Sequence, residues 1–167
     1  MAQICSGRKI IAVSNSAERE TYLLKKIIRD SGRNGVFAVV PADEAVQRGL
    51  KATVLLVQEP PKATEPEPLP VLVTKFRPEQ EKPAGPRNII TYSTEWDGAD
   101  FTARNVRALP DGVTAFEIVG VGIIGRVHLA QGCSDDVEAA LAAAAAATAA
   151  GIPFAEALGA LNEPVKT

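Results

Sequence analysis

The chain has 167 residues, 46% hydrophobic and 23% charged, enough for one domain with a real core and too few for two large ones. Its net charge of -2 excludes a broad basic field for nucleic acid, because no Lys/Arg cluster exceeds a short helix face. The longest apolar run is an alanine tract near the end, and no charged-then-apolar leader opens the chain, so the expectation is a cytoplasmic protein without a membrane span.

The first half alternates. Lys9–Val13 reads as a β-branched strand, followed by a helix over Ala17–Ser31 with Leu23, Leu24, Ile27 and Ile28 on one stripe. Gly32 and Gly35 mark its exit. Val36–Val40, a short helix Ala42–Arg48 and a strand Thr53–Val57 come next. Apolar strands separated by helices point to a parallel sheet covered on both faces. The fold class expected is therefore α/β, a mainly parallel sheet flanked by helices.

From 59 to 86 the composition shifts, and eight of the twelve prolines fall there. Proline lacks a donor and disfavours helix, so this reads as an extended connection within the single domain 1–167. "PVLVTKF", Pro70–Phe76, interrupts it as a further strand, and Asn88–Ser93 is another. The pattern then turns antiparallel through "DFTARNVRAL", "VTAFEIV" and "GRVHLA", a hairpin portion in the second half. Two helices close the chain. The first, Asp135–Ala150, is capped by Ser134 or Asp135 and stopped by Gly151; the second is Pro153–Leu161.

Several motifs invite function. "GVGIIG", Gly120–Gly125, matches a dinucleotide fingerprint literally, but the residues after it alternate like a strand, and the fingerprint needs a helix there. A hairpin turn is the reading. Cys5 and Cys133 lack metal-ligand spacing, with only His128 to share a metal, which points to reduced thiols rather than a disulfide or zinc site. Trp96 reads as an anchor of its loop to the core. An enzyme of different chemistry built from His128, Cys133, Asp135 and Asp136 is a further possibility.

The informative stretch is "VSNSAERET", Val13–Thr21, the turn from first strand to first helix. A phosphate-binding loop there uses glycines to expose backbone N–H groups, a lysine for the outer phosphates, and Ser/Thr for magnesium. This turn has no glycine or lysine. Glu18 and Glu20 suit the positive end of the helix dipole, and Asn15 with Glu18 has capping-box spacing. The carboxylates then occupy the potential a phosphate would use.

The sequence resembles the Mur ligases, the ATP-dependent amide ligases of peptidoglycan precursor synthesis, and in particular the branch that adds D-Ala-D-Ala. "IIAV" with "SNSAERET" is similar to the family's strand and TGTNGKTT loop. "NIITYSTEWDGADFTARNVRALPDGVTAFEIV" and "GCSDDVEAALAAAAAATAAGIPFAEALGAL" resemble two later segments of the central ATPase domain, in the same order. The resemblance implies that domain in reduced and truncated form.

It also marks departures. Asn15 and Glu18 stand where the family has glycines, Arg19 where it has the phosphate-binding lysine, and Glu20 where it has the first of two threonines; Thr21 agrees. Asp135 and Asp136 stand in place of the family's His-Asn pair, and Ala139 in place of its next asparagine. The stretch 58–87 has no counterpart of the family's metal-site segment. Phosphoryl transfer rests on positioning and on charge stabilisation by such groups. The expectation is a degenerate P-loop and a non-catalytic binding or scaffolding protein, with no cofactor, no metal, and a protein partner or self-association. The alternative is a residual nucleotide or anion site for ATP and magnesium, formed by Ser14, Asn15, Ser16, Arg19 and Thr21.

Overall fold

The structure is a computed structural model that describes residues 9–14, 17–57, 71–76, 89–96, 98–110, 112–120, 122–129 and 134–162, without the side chains of 134 and 135. The strands are β1 (Lys9–Val13), β2 (Phe37–Pro41), β3 (Ala52–Val57), β4 (Val71–Lys75), β5 (Ile89–Ser93), β6 (Phe101–Ala108), β7 (Thr114–Gly120) and β8 (Ile123–Leu129). The helices are α1 (Glu18–Asp30), α2 (Ala42–Gln47), α3 (Ser134–Ala150) and α4 (Phe154–Asn162).

The strands form one eight-stranded sheet in the order β2-β1-β3-β4-β5-β6-β7-β8. Pairing is parallel from β2 to β6 and antiparallel from β6 to β8. This is the α/β architecture the sequence pattern predicts, down to the hairpin portion. The seam lies between β5 and β6, which share only Tyr92↔Phe101 and Ser93↔Thr102. Parallel neighbours ordinarily need a crossover of roughly a dozen residues or more. Here β6 starts where β5 ends, so the short connection 94–100 suffices. Asp100 pins it: its carboxylate accepts from Thr91 N–H at 2.9 Å and from the Thr91 hydroxyl at 3.2 Å, and its own N–H donates to that hydroxyl at 3.0 Å.

One face of the sheet carries α1, α3 and α4. Val13, Val54, Val73, Tyr92, Phe116 and Val127 from successive strands meet Leu24, Ile27, Leu141 and Leu161 there. Residues 139–147 of α3 are buried throughout. Alanine methyls let the helix backbone lie close to both the sheet and α1, and alanine has the highest helix propensity. The opposite face carries α2 among the described residues, with Ala45 on Ile10, Ala12 and Val40. The coverage of both faces predicted from the apolar strands is therefore unequal within the described residues.

The helix ends correct several expectations. Helix α1 stops in a Schellman arrangement, Gly32 N–H to Arg29 O at 3.0 Å and Arg33 N–H to Ile28 O at 2.9 Å, with Gly32 at φ 72°. Its start differs from the predicted capping box. The N-cap is Ala17, with no side-chain cap hydrogen bond, so Glu18 is the first helical residue and not the third. Ser134 is already helical, so neither it nor Asp135 is the cap of α3. Trp96 is 49% exposed, and its loop is held instead by Ser93, whose hydroxyl oxygen accepts from the N–H groups of Glu95 and Trp96 at 3.0 and 2.9 Å.

The glycine-rich motif makes the β7–β8 hairpin, with Gly122 at φ 72° in its turn. Gly125 has a separate role. A Cβ there would come within 2.0 Å of Leu158 Cδ1, so its absence lets α4 sit directly on β8.

Candidate functional site

In open α/β sheets, ligands bind beyond the carboxyl ends of the parallel strands. That end here gathers the turn after β1, the N-termini of α1 and α3, and the last residue of β4. Ser14 extends the ladder by donating its N–H to Leu56 O at 2.9 Å. The chain then turns, and Ala17 N–H donates to Ser14 O at 3.0 Å. A phosphate-cradling loop aims such donors outward; in this turn that one is spent inside. Thr21, the position that agrees with the family's second threonine, donates its hydroxyl proton to Ala17 O at 2.8 Å.

Arg19 stands on the first turn of α1 with its side chain 54% exposed, and its guanidinium lies 3.3 Å from the Asp136 carboxylate on α3. Lys75, at the end of β4, pairs with Glu138 on α3 at 2.9 Å. Arg19 and Lys75 are thus both faced by carboxylates from one helix. Two of the residues at which the sequence departs from the ligase pattern, Arg19 and Asp136, are brought together by the fold. Asn15 and Ser16 lie outside the described residues, as do Cys5, Cys133 and the side chain of Asp135. Of the predicted set, Ser14, Arg19 and Thr21 share this end. His128 lies on β8, with its backbone N–H on Asn162 Oδ1 at 2.7 Å. Among the described residues, no group of three His, Cys, Asp or Glu could hold a metal ion.

Sequence reasoning missed Lys75 and Glu138. They are 63 positions apart, and only the position of α3 across β4 joins them. Beside Lys75, the buried Thr74 hydroxyl has no hydrogen-bond partner among the described residues. Its strand neighbour across the ladder is Thr91, which holds Asp100.

No family model matches the sequence, and no curated protein matches it significantly. Solved structures do match in shape. A UDP-N-acetylmuramoylalanyl-D-glutamyl-2,6-diaminopimelate–D-alanyl-D-alanyl ligase from Acinetobacter baumannii superposes over 99% of this chain and 48% of its own, at TM-score 0.71 and 15% identity. This is the Mur ligase fold. A UDP-N-acetylmuramoyl-L-alanyl-D-glutamate–2,6-diaminopimelate ligase matches over 97% of this chain and 47% of its own, at TM-score 0.72 and 13% identity. A UDP-N-acetylmuramate:L-alanyl-gamma-D-glutamyl-meso-diaminopimelate ligase from Neisseria meningitides matches over 96% and 67%, at TM-score 0.62 and 17% identity. The chain spans about half the length of the first two ligases. At these identities the likeness establishes the fold of a Mur ligase-like domain. No helix among the described residues is long and apolar enough to cross a membrane.

Proposed function

We propose that this Mur ligase-like domain is non-catalytic and acts as a binding or scaffolding protein, linked through its structural relatives to cell-envelope precursor metabolism. One observation carries the proposal: Arg19, at the place of the family's phosphate-binding lysine, is engaged by Asp136 at 3.3 Å. The inward Ala17 N–H and the acidic first turn, Glu18 and Glu20, support it. A nucleotide entering this turn would have to displace a carboxylate from Arg19 and approach two more, with like charges opposing it. The ligand this reading expects is a protein partner.

The second reading is a residual nucleotide or anion site at Ser14, Asn15, Ser16, Arg19 and Thr21, taking ATP with magnesium. It is favoured by the exposure of Arg19 and by an N-cap residue, Ala17, that makes no side-chain cap hydrogen bond. Calorimetric titration with ATP and magnesium, paired with thermal melting, separates the two. The scaffold reading expects neither heat nor a thermal shift at millimolar nucleotide. The N15G/E18G/R19K/E20T variant, which restores the family's loop, should gain a measurable shift. Saturable binding by the unaltered chain would defeat the non-binding reading.

A further inference from the structure

β8 is the last strand of the sheet, so one side of its backbone has no neighbouring strand among the described residues. Residues alternate along it. Gly125, Val127 and Leu129 turn their backbone groups toward β7, and Ile124, Arg126 and His128 turn theirs outward, as their bonds beyond the sheet require. Ile124 is 65% exposed. A seven-residue edge of this kind is a template for strand addition.

The side chain of Asn162, the last residue of α4, lies on that edge. Its Oδ1 accepts from His128 N–H at 2.7 Å, and its Nδ2 donates to Arg126 O at 2.9 Å. A primary carboxamide presents its donor and acceptor on one side, so Asn162 occupies both the His128 N–H and the Arg126 carbonyl, two outward groups that an added strand would otherwise pair. Flipping the amide would break both, which fixes its orientation. The seat of α4 is what delivers it. Leu158, one helical turn earlier, rests on Gly125, where a Cβ would come within 2.0 Å.

We propose that Asn162 is an edge guard: its carboxamide occupies β8 and keeps that strand from pairing with β8 of a second copy of this chain. A second copy is the occupant excluded, because an antiparallel edge pairs with itself about a two-fold axis without any other complementary surface. Arg126 works in the same sense. In the register that sets Ile124 opposite His128, the two Arg126 side chains would face each other across the axis, and like charges directly opposite are unfavourable.

The test is sedimentation velocity of the full chain, Asn162→Ala, and Asn162→Ala with Ile124→Pro, across micromolar concentrations. The single variant should gain a species of twice the wild-type mass, with self-association tightened at least about tenfold, equivalent to about 1.4 kcal/mol. The double variant should return to the wild-type distribution, because proline removes an outward N–H that the β6–β7–β8 ladder does not use. An Asn162→Ala protein that is folded and sediments like the wild type overturns the proposal. If that variant fails to fold, amide exchange in the wild type decides. The His128 amide must exchange more slowly than the outward amide of Ile124, and equal rates overturn the guard.

Discussion

The two ends of α1 are built from similar residues and held very differently. At its start, where a phosphate loop would sit, Arg19 meets Asp136 at 3.3 Å with more than half of its side chain in water, and the N-cap residue Ala17 makes no side-chain cap hydrogen bond. Toward its end, Lys26 is only 5% exposed, donates to Ala160 O of α4 and pairs with Asp30 at 3.2 Å. Just beyond, the Arg33 guanidinium grips both oxygens of Glu156 at 2.8 and 2.9 Å. Polar pairs far from the candidate site thus tie α1 and the turn after it to α4, one through the buried Lys26 and one through the part-exposed Arg33, while Arg19 at the site is paired near solvent. Charge alone does not mark function; burial and geometry decide what a charge contributes.

The strongest way to break this comparison is Lys26→Ala. It leaves Asp30 and the Ala160 carbonyl without their shared donor, and should cost about 2–4 kcal/mol in urea unfolding. Lys26→Met, which keeps the buried stem, should recover part of it. A cost for Lys26→Ala no larger than that of Arg19→Ala would erase the distinction between the two ends.

Acid should probe the same end more gently. Hydrogen bonding from Arg33 outweighs desolvation and lowers the Glu156 pKa. Burial raises that of Asp30, but hydrogen bonds from Arg29 and Lys26 prevail and lower it. A carboxyl whose folded pKa lies below its unfolded value stabilises fully above the unfolded value, about 4, and ceases to as pH falls through the folded one. Melting temperature should therefore drop as pH falls below about 4, and Glu156→Gln should flatten that drop. An unchanged slope in the variant would remove Glu156 from the account. The smallest effect belongs to the other end. Arg19→Ala should change stability by less than about 0.5 kcal/mol by chemical denaturation, as expected of a half-exposed ion pair, and a larger loss would make this end structural too.

Much of the fold was legible. Period-two and period-3.6 patterns place every strand and helix of the described residues to within a few positions, because burial of one face imposes those periods. The hairpin reading of Gly120–Gly125 rested on the strand pattern after it, and β8 is that strand. The capping box failed because the helix begins two residues too late for Asn15 to be its N-cap: Ala17 is the boundary, and its N–H closes the preceding turn on Ser14 O. Nothing in the sequence pattern singles out Lys26, which is buried and donates to Ala160 O of α4.

By itself, the sequence determined the alternation of elements, the α/β class, the glycine-free loop and the acid-rich helix start, all of which are local in chain and chemistry. The tertiary structure decided the rest: the partnership of Arg19 with Asp136, Lys75 with Glu138, and Asn162 with the edge of β8. Each joins residues far apart in the chain, and no local pattern specifies which helix will cross which strand; the packing of an alanine-faced helix on a twisted sheet does.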